Sequence, residues 1–125
     1  MSFKLEICAN SVQSVINAEI AGADRVELCD NLWEGGTTPS AASVKLAKEK
    51  TSIEVFILVR PRGGDFVYSD IEFEVIKEDI RMAKELGADG IVSGVLLADG
   101  SVDIKRTKAL VELSKPLPFT FHRAF

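Results

Sequence analysis

The residues best suited to chemistry in this chain lie in a short internal repeat. The segment EICAN at positions 6–10 recurs as ELCDN at positions 27–31, an offset of 21 residues. Because side chains alternate along a strand, Glu6 and Cys8 share one face of a first strand, and Glu27 and Cys29 share the equivalent face of a second. Neighbouring strands lie about 4.8 Å apart. In-register pairing therefore predicts Cys8 beside Cys29, and Glu6 beside Glu27.

Two thiols at this separation allow three interpretations. They can pack as a pair of small apolar side chains, or form a disulfide, which a reducing compartment disfavours. They can also bind a soft metal ion, because thiolates select Cu(I) over hard cations. Zinc fits less well, since it usually takes four ligands and the one histidine, His122, lies on a later strand. Packing and metal binding both remain open from the residues alone.

The two glutamates are candidates for proton transfer. Carboxylates on adjacent strands repel each other, so the pKa of Glu6 or Glu27 should rise and the two could act as an acid and a base. The structural alternative is that a nearby cation neutralises them: Lys4, Arg25 or Arg60.

Basic residues follow the third and fifth predicted strands. The segment RPRGGD at positions 60–65 places Arg60 and Arg62 beside a Gly pair just before a helix, where they could hold a phosphate or a carboxylate. The loop EGGTTP at positions 34–39 leads to another helix start. Arg123 adjoins His122, which is a ligand, a general acid or base, or an interior histidine. We therefore predict an anion site at Arg60, Arg62 and Arg123, although a Gly pair often only makes a turn.

The elements that must position these residues alternate between strands and helices. Apolar runs predict strands at 3–8, 25–29, 54–60, 89–95 and 119–122. Helix starts are predicted at Asn10 or Ser11, at Thr38 with Pro39 at the first helical position, at a capping box beginning with Ser69, and near 103. The order βαβαβαβαβ requires parallel strands with right-handed crossovers. Both cysteines then fall at the carboxyl ends of strands, where α/β proteins place their sites.

The length favours part of a barrel over a complete small fold. The 125 residues form one predicted domain, about half of the roughly 250 residues of a (β/α)8 barrel. A doubly wound sheet normally finishes with a helix packed on its last strand, and no helix follows the fifth strand here. We therefore predict that residues 1–125 are a single domain, the N-terminal portion of a parallel α/β TIM-type barrel.

Composition excludes several classes of partner. Fifteen basic residues against 19 acidic residues give a net charge of −4 and a pI near 5.0, which argues against nucleic acid bound on a broad basic face. No apolar run approaches the ~20 residues of a membrane span. Two cysteines do not make a disulfide scaffold. We expect a cytosolic protein with reduced thiols.

Five segments together resemble the CutC family: LEIC at 5–8, ADRVELC at 23–29, EGGTTPS at 34–40, RPRGGDF at 60–66 and TFHRAF at 120–125. The resemblance implies a cytoplasmic, oligomeric protein with a TIM-type barrel, of which strands six to eight are not in this chain. It also implies a role in copper homeostasis, with Cys8 and Cys29 as ligands of Cu(I).

Two functions from different classes follow. The first is a copper-binding protein that holds Cu(I) through Cys8 and Cys29. The second is a barrel enzyme acting on a small anionic metabolite, which could be a phosphorylated one. Arg60 and Arg62 would hold the anion, and Glu6 or Glu27, together with His122, would exchange a proton.

Overall fold

The computed structural model describes residues 2–125 as a five-stranded parallel sheet with a helix after each of the first four strands. The strands are β1 (Glu6–Ala9), β2 (Arg25–Leu28), β3 (Glu54–Leu58), β4 (Gly90–Ser93) and β5 (Phe119–Phe121). The helices are α1 (Val12–Ile20), α2 (Ala41–Lys50), α3 (Asp70–Glu85) and α4 (Ile104–Ser114). A short 3-10 helix, Leu32–Glu34, follows β2.

The strands lie side by side in chain order, β1-β2-β3-β4-β5, and every neighbouring pair is parallel. A doubly wound sheet would reverse this order at a switch point near its middle. Consecutive parallel strands joined by helices are the arrangement of a TIM-type barrel. The predicted fold class, part of a TIM-type α/β barrel, is confirmed.

The two faces of the sheet bury different sets of side chains. One face packs against the helices and forms the main apolar core, with Val26, Leu28, Val55, Ile57 and Ile91 among its strand residues. The opposite face carries a smaller cluster that faces the barrel interior: Cys29, Phe56, Leu58 and Val92. Cys29 thus belongs to the interior layer, as the strand alternation predicts.

Polar caps begin the four helices. The hydroxyls of Ser11 and Ser69 accept hydrogen bonds from the first turns of α1 and α3, and Ser69 forms the predicted capping box with Glu72. The predicted Thr38 cap is wrong, because Ser40 caps α2. The Thr38 hydroxyl instead accepts the backbone N–H of Arg60 at 2.9 Å, which ties the preceding loop to the end of β3. None of the helices within residues 2–125 is long and apolar enough to cross a membrane.

The register of the first two strands differs from the predicted one by two residues. Glu6 lies opposite Arg25, and Cys8 lies opposite Glu27. The internal repeat would instead place Glu6 opposite Glu27. A shift of two residues leaves every side chain on its own face, so the alternating pattern fits both registers equally well.

Candidate functional site

A cavity of about 340 Å³ opens at the carboxyl ends of β1, β2, β3 and β5. Its walls combine charged, aromatic and aliphatic side chains: Cys8, Glu27, Leu32, Gly35, Leu58, Arg60, Phe66, His122, Arg123 and Ala124. The position agrees with the rule that parallel α/β barrels place their sites at this end of the strands. The volume suits a small molecule.

The two cysteines meet at this end of the sheet despite the shifted register. Their sulfur atoms lie 3.8 Å apart, and both thiols are free. Cys8 is exposed at the cavity wall, whereas Cys29 is buried in the interior layer. Burial above all, then the neighbouring Cys8 thiol and nearby acidic side chains, raise the pKa of the Cys29 thiol to about 12. Within residues 2–125, no group of three or more His, Cys, Asp or Glu side chains is arranged to hold a metal ion.

The two glutamates occupy different environments. The Glu6 carboxylate forms an ion pair with the Arg25 guanidinium, its partner across the ladder. Glu27 is half-buried, and burial is the main reason why its pKa lies above the ordinary value. The Glu6 charge raises the Glu27 pKa further, and the charges of Arg123 and Arg25 oppose this. Glu27 also lines the cavity, and its raised pKa makes this carboxyl group a candidate for proton exchange.

Arg60 is a buried cation at the end of β3. Its side chain is 6% exposed. One terminal nitrogen, Nη1, donates to the carbonyl oxygens of Glu34 and Gly36 at 2.6 and 2.8 Å. The other, Nη2, donates to the carbonyl oxygen of Gly64 at 2.9 Å. Arg60 thus joins the loop after β2 to the loop after β3 and keeps its charge at the cavity wall.

His122 follows β5 and lies close to the same wall. Its ring centroid is 5.1 Å from that of Phe66, and the Arg60 guanidinium lies 4.9 Å from the Phe66 centroid. Burial and the Arg60 charge lower the pKa of His122 to about 4, so the ring is neutral near pH 7. Gly94 leaves room for the imidazole, since a Cβ there would lie 2.5 Å from its Cε1 atom.

Arg62 does not line the cavity. Its guanidinium forms an ion pair with Glu72, donates to the Asp65 carboxylate at 3.2 Å, and donates to the Val67 carbonyl oxygen at 2.9 Å. The Arg62 hydrogen bond is the main reason why the pKa of Glu72 falls to about 2. These contacts hold the loop after β3 against the start of α3 and leave Arg60 and Arg123 as the cations of the cavity.

Some cavity residues were not among the predicted ones. Leu32, Leu58 and Phe66 form its apolar wall. Two glycines mark places where another side chain comes close to the backbone. One is Gly94, beside the His122 ring. The other is Gly36, which has a φ of 96° and where a Cβ would lie 2.9 Å from the Leu58 side chain. Gly94 directly follows β4, and a glycine at that position of a parallel sheet is a sequence signal for such an approach. Gly36 lies further along the loop after β2.

Comparison with known proteins gives consistent matches over nearly the whole chain. A family model described as the CutC family matches residues 3–125. A human relative named copper homeostasis protein cutC homolog is 54% identical over 123 residues, which cover 98% of this chain and 45% of that protein. A family protein CutC of Chromobacterium violaceum is 52% identical over 121 residues, covering 97% of this chain and 49% of that protein. The chain spans about half the length of these curated relatives.

Solved structures show the same fold. A CutC structure from Streptococcus agalactiae matches with a TM-score of 0.91 and 39% identity, covering 98% of this chain and 60% of that chain. A structure described as a phosphonomutase from Burkholderia cenocepacia matches with a TM-score of 0.60 and 17% identity, covering 90% of this chain and 47% of that chain. The second likeness concerns the fold alone. The family model and the fold agree, and the chain belongs to the CutC family.

Proposed function

We propose that this chain acts in copper homeostasis in the cytoplasm and binds Cu(I) through Cys8 and Cys29. The observation that carries the proposal is the pair of free thiols, whose sulfur atoms lie 3.8 Å apart beside an open cavity. The name of the human relative supports a role in copper homeostasis. A reducing compartment would keep both thiols available for the metal.

The donor set fits a soft monovalent ion. Thiolates favour Cu(I), and a two-ligand site does not meet the usual four-ligand requirement of structural zinc. Cys8 and Cys29 would hold the ion between their sulfur atoms. The exposed Cys8 side chain can adjust its position to the ion, while Cys29 stays in the buried layer.

Access to the pair is asymmetric. Cys8 lines the cavity and meets an incoming ion first, and Cys29 lies behind it among Phe56, Leu58 and Val92. Because the Cys29 thiol is protonated near neutral pH, metal binding must displace its proton. Half-buried Glu27 lines the same cavity and its charge acts on the Cys29 thiol, so its carboxyl group is the candidate to take up this proton.

The test is an anaerobic Cu(I) competition titration against a chromophoric chelator. We expect tight binding by the native chain and its loss in both Cys8→Ser and Cys29→Ser. Met82→Leu is the matched control, because it removes an exposed thioether on α3, another soft donor, far in sequence from the pair. Circular dichroism checks that each variant folds. Native affinity in either folded cysteine variant would refute the proposal.

A second function is favoured by a different observation, the acid–base groups at the cavity wall. We propose as the alternative a barrel enzyme that acts on a small anionic metabolite, with Glu27 and His122 exchanging protons beside Arg60. The raised pKa of Glu27 favours proton exchange by its carboxyl group, whereas His122, whose pKa is lowered, is neutral and would act as a weak base.

The alternative is tested by following mixtures of phosphorylated and carboxylated metabolites by NMR in the presence of the chain. Turnover that disappears in Glu27→Gln and persists in Cys8→Ser would favour the enzyme. No turnover by the native chain with any of these substrates would count against it.

A further inference from the structure

Arg60 carries a buried charge that no acidic side chain balances directly. Its three hydrogen bonds go to backbone carbonyl oxygens, and in the described part of the chain no carboxylate forms an ion pair with it. A buried charge is costly unless it is paired as well as hydrogen-bonded. The cavity beside Arg60 is the place where an anionic partner could reach it.

Two buried nitrogen atoms near this cavity also lack partners. Neither Nε of Arg60 nor Nε2 of His122 has a hydrogen-bond partner. Native proteins leave few buried polar atoms unpaired, and a bound ligand is one reason for such an exception. Both side chains lie against the same Phe66 ring, within 5.1 Å of its centroid. Arg60, His122 and Phe66 all line the cavity, so a ligand bound there lies beside both nitrogens.

A second arginine stands at the cavity wall. Arg123 is exposed and, within residues 2–125, has no hydrogen bond or ion pair, so its guanidinium is free to rotate over a ligand. Glu27 is the acidic group in the lining. The charges of the wall therefore favour an anion, with two arginines against one half-buried carboxyl group.

We infer that the cavity binds a small molecule through an oxyanion group, a phosphate monoester or a carboxylate, held by Arg60, His122 and Arg123. The two guanidinium groups supply charge, and the Nε2–H tautomer of His122 donates a hydrogen bond to the oxyanion. Leu32, Leu58 and Phe66 contact the apolar remainder of the ligand. The inference rests on the second proposed function and names its ligand class. It replaces Arg62 with His122 in the predicted anion site, because Arg62 is bound to Glu72 and Asp65.

The test follows the imidazole resonances of the 125-residue chain by NMR. Because His122 is its one histidine, these resonances belong to His122. Inorganic phosphate and acetate are titrated separately at constant ionic strength, with sodium chloride as the reference salt. We expect a saturable shift with at least one anion. Saturation by phosphate alone assigns the site to phosphate monoesters, and saturation by acetate alone assigns it to carboxylates.

Arg123→Gln is the informative variant, because Arg123 is exposed and its loss should leave the fold intact. We expect the dissociation constant to rise at least about tenfold, as for loss of one charge-assisted hydrogen bond. Arg81→Gln is the matched control: it removes an exposed arginine of α3 and should bind the anion as the native chain does. A shift no larger than that caused by chloride, or native affinity in Arg123→Gln, would overturn the inference.

The outcomes separate this inference from the function on which it rests. Saturable anion binding without turnover would leave the site intact and refute the enzyme. Turnover without any anion-dependent shift of the His122 signal would support the enzyme and refute this site.

Discussion

Burial next to a second thiol makes Cys29 a weak acid. Its pKa of about 12 means that Cu(I) must compete with a proton for this sulfur across the physiological range. We therefore predict that the affinity for Cu(I) rises with pH, by about tenfold per pH unit for each proton displaced. Competition titrations at several pH values, corrected for proton binding by the chelator, measure the slope. A pH-independent affinity would show that Cys29 does not bind as a thiolate.

Burial also keeps His122 neutral, and because histidine is a base its pKa falls where that of Cys29 rises. Its pKa is lowered from 6.5 to about 4, so the unfolded chain takes up a proton before the folded chain does as the pH falls. The contribution of the neutral ring to stability is complete above pH 6.5 and is lost as the pH falls through about 4. Because the ring is partly exposed, we expect a loss of no more than about 2 kcal/mol.

Urea unfolding of the native chain and of His122→Gln, near pH 7 and near pH 4, measures the contribution of the neutral His122 ring to stability. The native chain should lose more stability than the variant on acidification, because the glutamine cannot take up the proton. Carboxylates such as Glu72 titrate in both proteins and cancel in the comparison. Equal losses would show that the ring is not held neutral by its surroundings.

The loop between β2 and α2 shapes the thiol site through Gly36. Its φ of 96° is reserved largely for glycine, and a Cβ would lie 2.9 Å from Leu58 and 3.5 Å from the Cys29 Cβ. Gly100 is a matched control, because its φ is 88° and a Cβ there would meet nothing within 4 Å. An alanine at either position would have a strained left-handed backbone, but only the alanine at position 36 would also crowd Leu58.

We predict that Gly100→Ala costs about 1 kcal/mol of stability, the price of a left-handed backbone in a non-glycine residue. Gly36→Ala should cost about 1–3 kcal/mol more, because it also crowds the interior layer. It should weaken Cu(I) binding as the loop moves away from Cys29, whereas Gly100→Ala should leave Cu(I) binding unchanged. Chemical denaturation and the chelator titration measure the two effects. Equal costs for both variants would show that the Leu58 contact does not constrain this loop.

The strands and helices of this chain could be predicted from its sequence, but some contacts between them could not. Periodicity, caps and glycine stops predicted the order of strands and helices, because these signals are local. The predicted register of β1 against β2 was wrong, since offsets of 19 and 21 residues between paired positions both keep Cys8 and Cys29 on the same face. Their sulfurs still meet, but diagonally. The role of Arg62 was also missed, because its partner Glu72 lies ten residues along the chain in the next helix.

At the scale of the whole molecule, the sheet has two edges. In the described residues, β1 pairs only with β2 and β5 only with β4. Apolar side chains are exposed along β1 and the segment before it, with Phe3 84% and Leu5 54% exposed. An unpaired edge strand flanked by exposed apolar side chains is a template for pairing with another chain.

We therefore predict that the 125-residue chain self-associates in a concentration-dependent manner through the β1 edge, in line with the expected homo-oligomer. Leu5→Lys should shift the equilibrium toward the monomer, because a lysine at an edge disfavours pairing. Ile71→Lys is the control: Ile71 is 72% exposed on α3, away from the edge, and its replacement should leave association unchanged. Sedimentation velocity over a range of concentrations measures the association. If both lysine variants lower the association equally, general apolar exposure drives it. If only Leu5→Lys lowers it, the contact is pairing at the β1 edge.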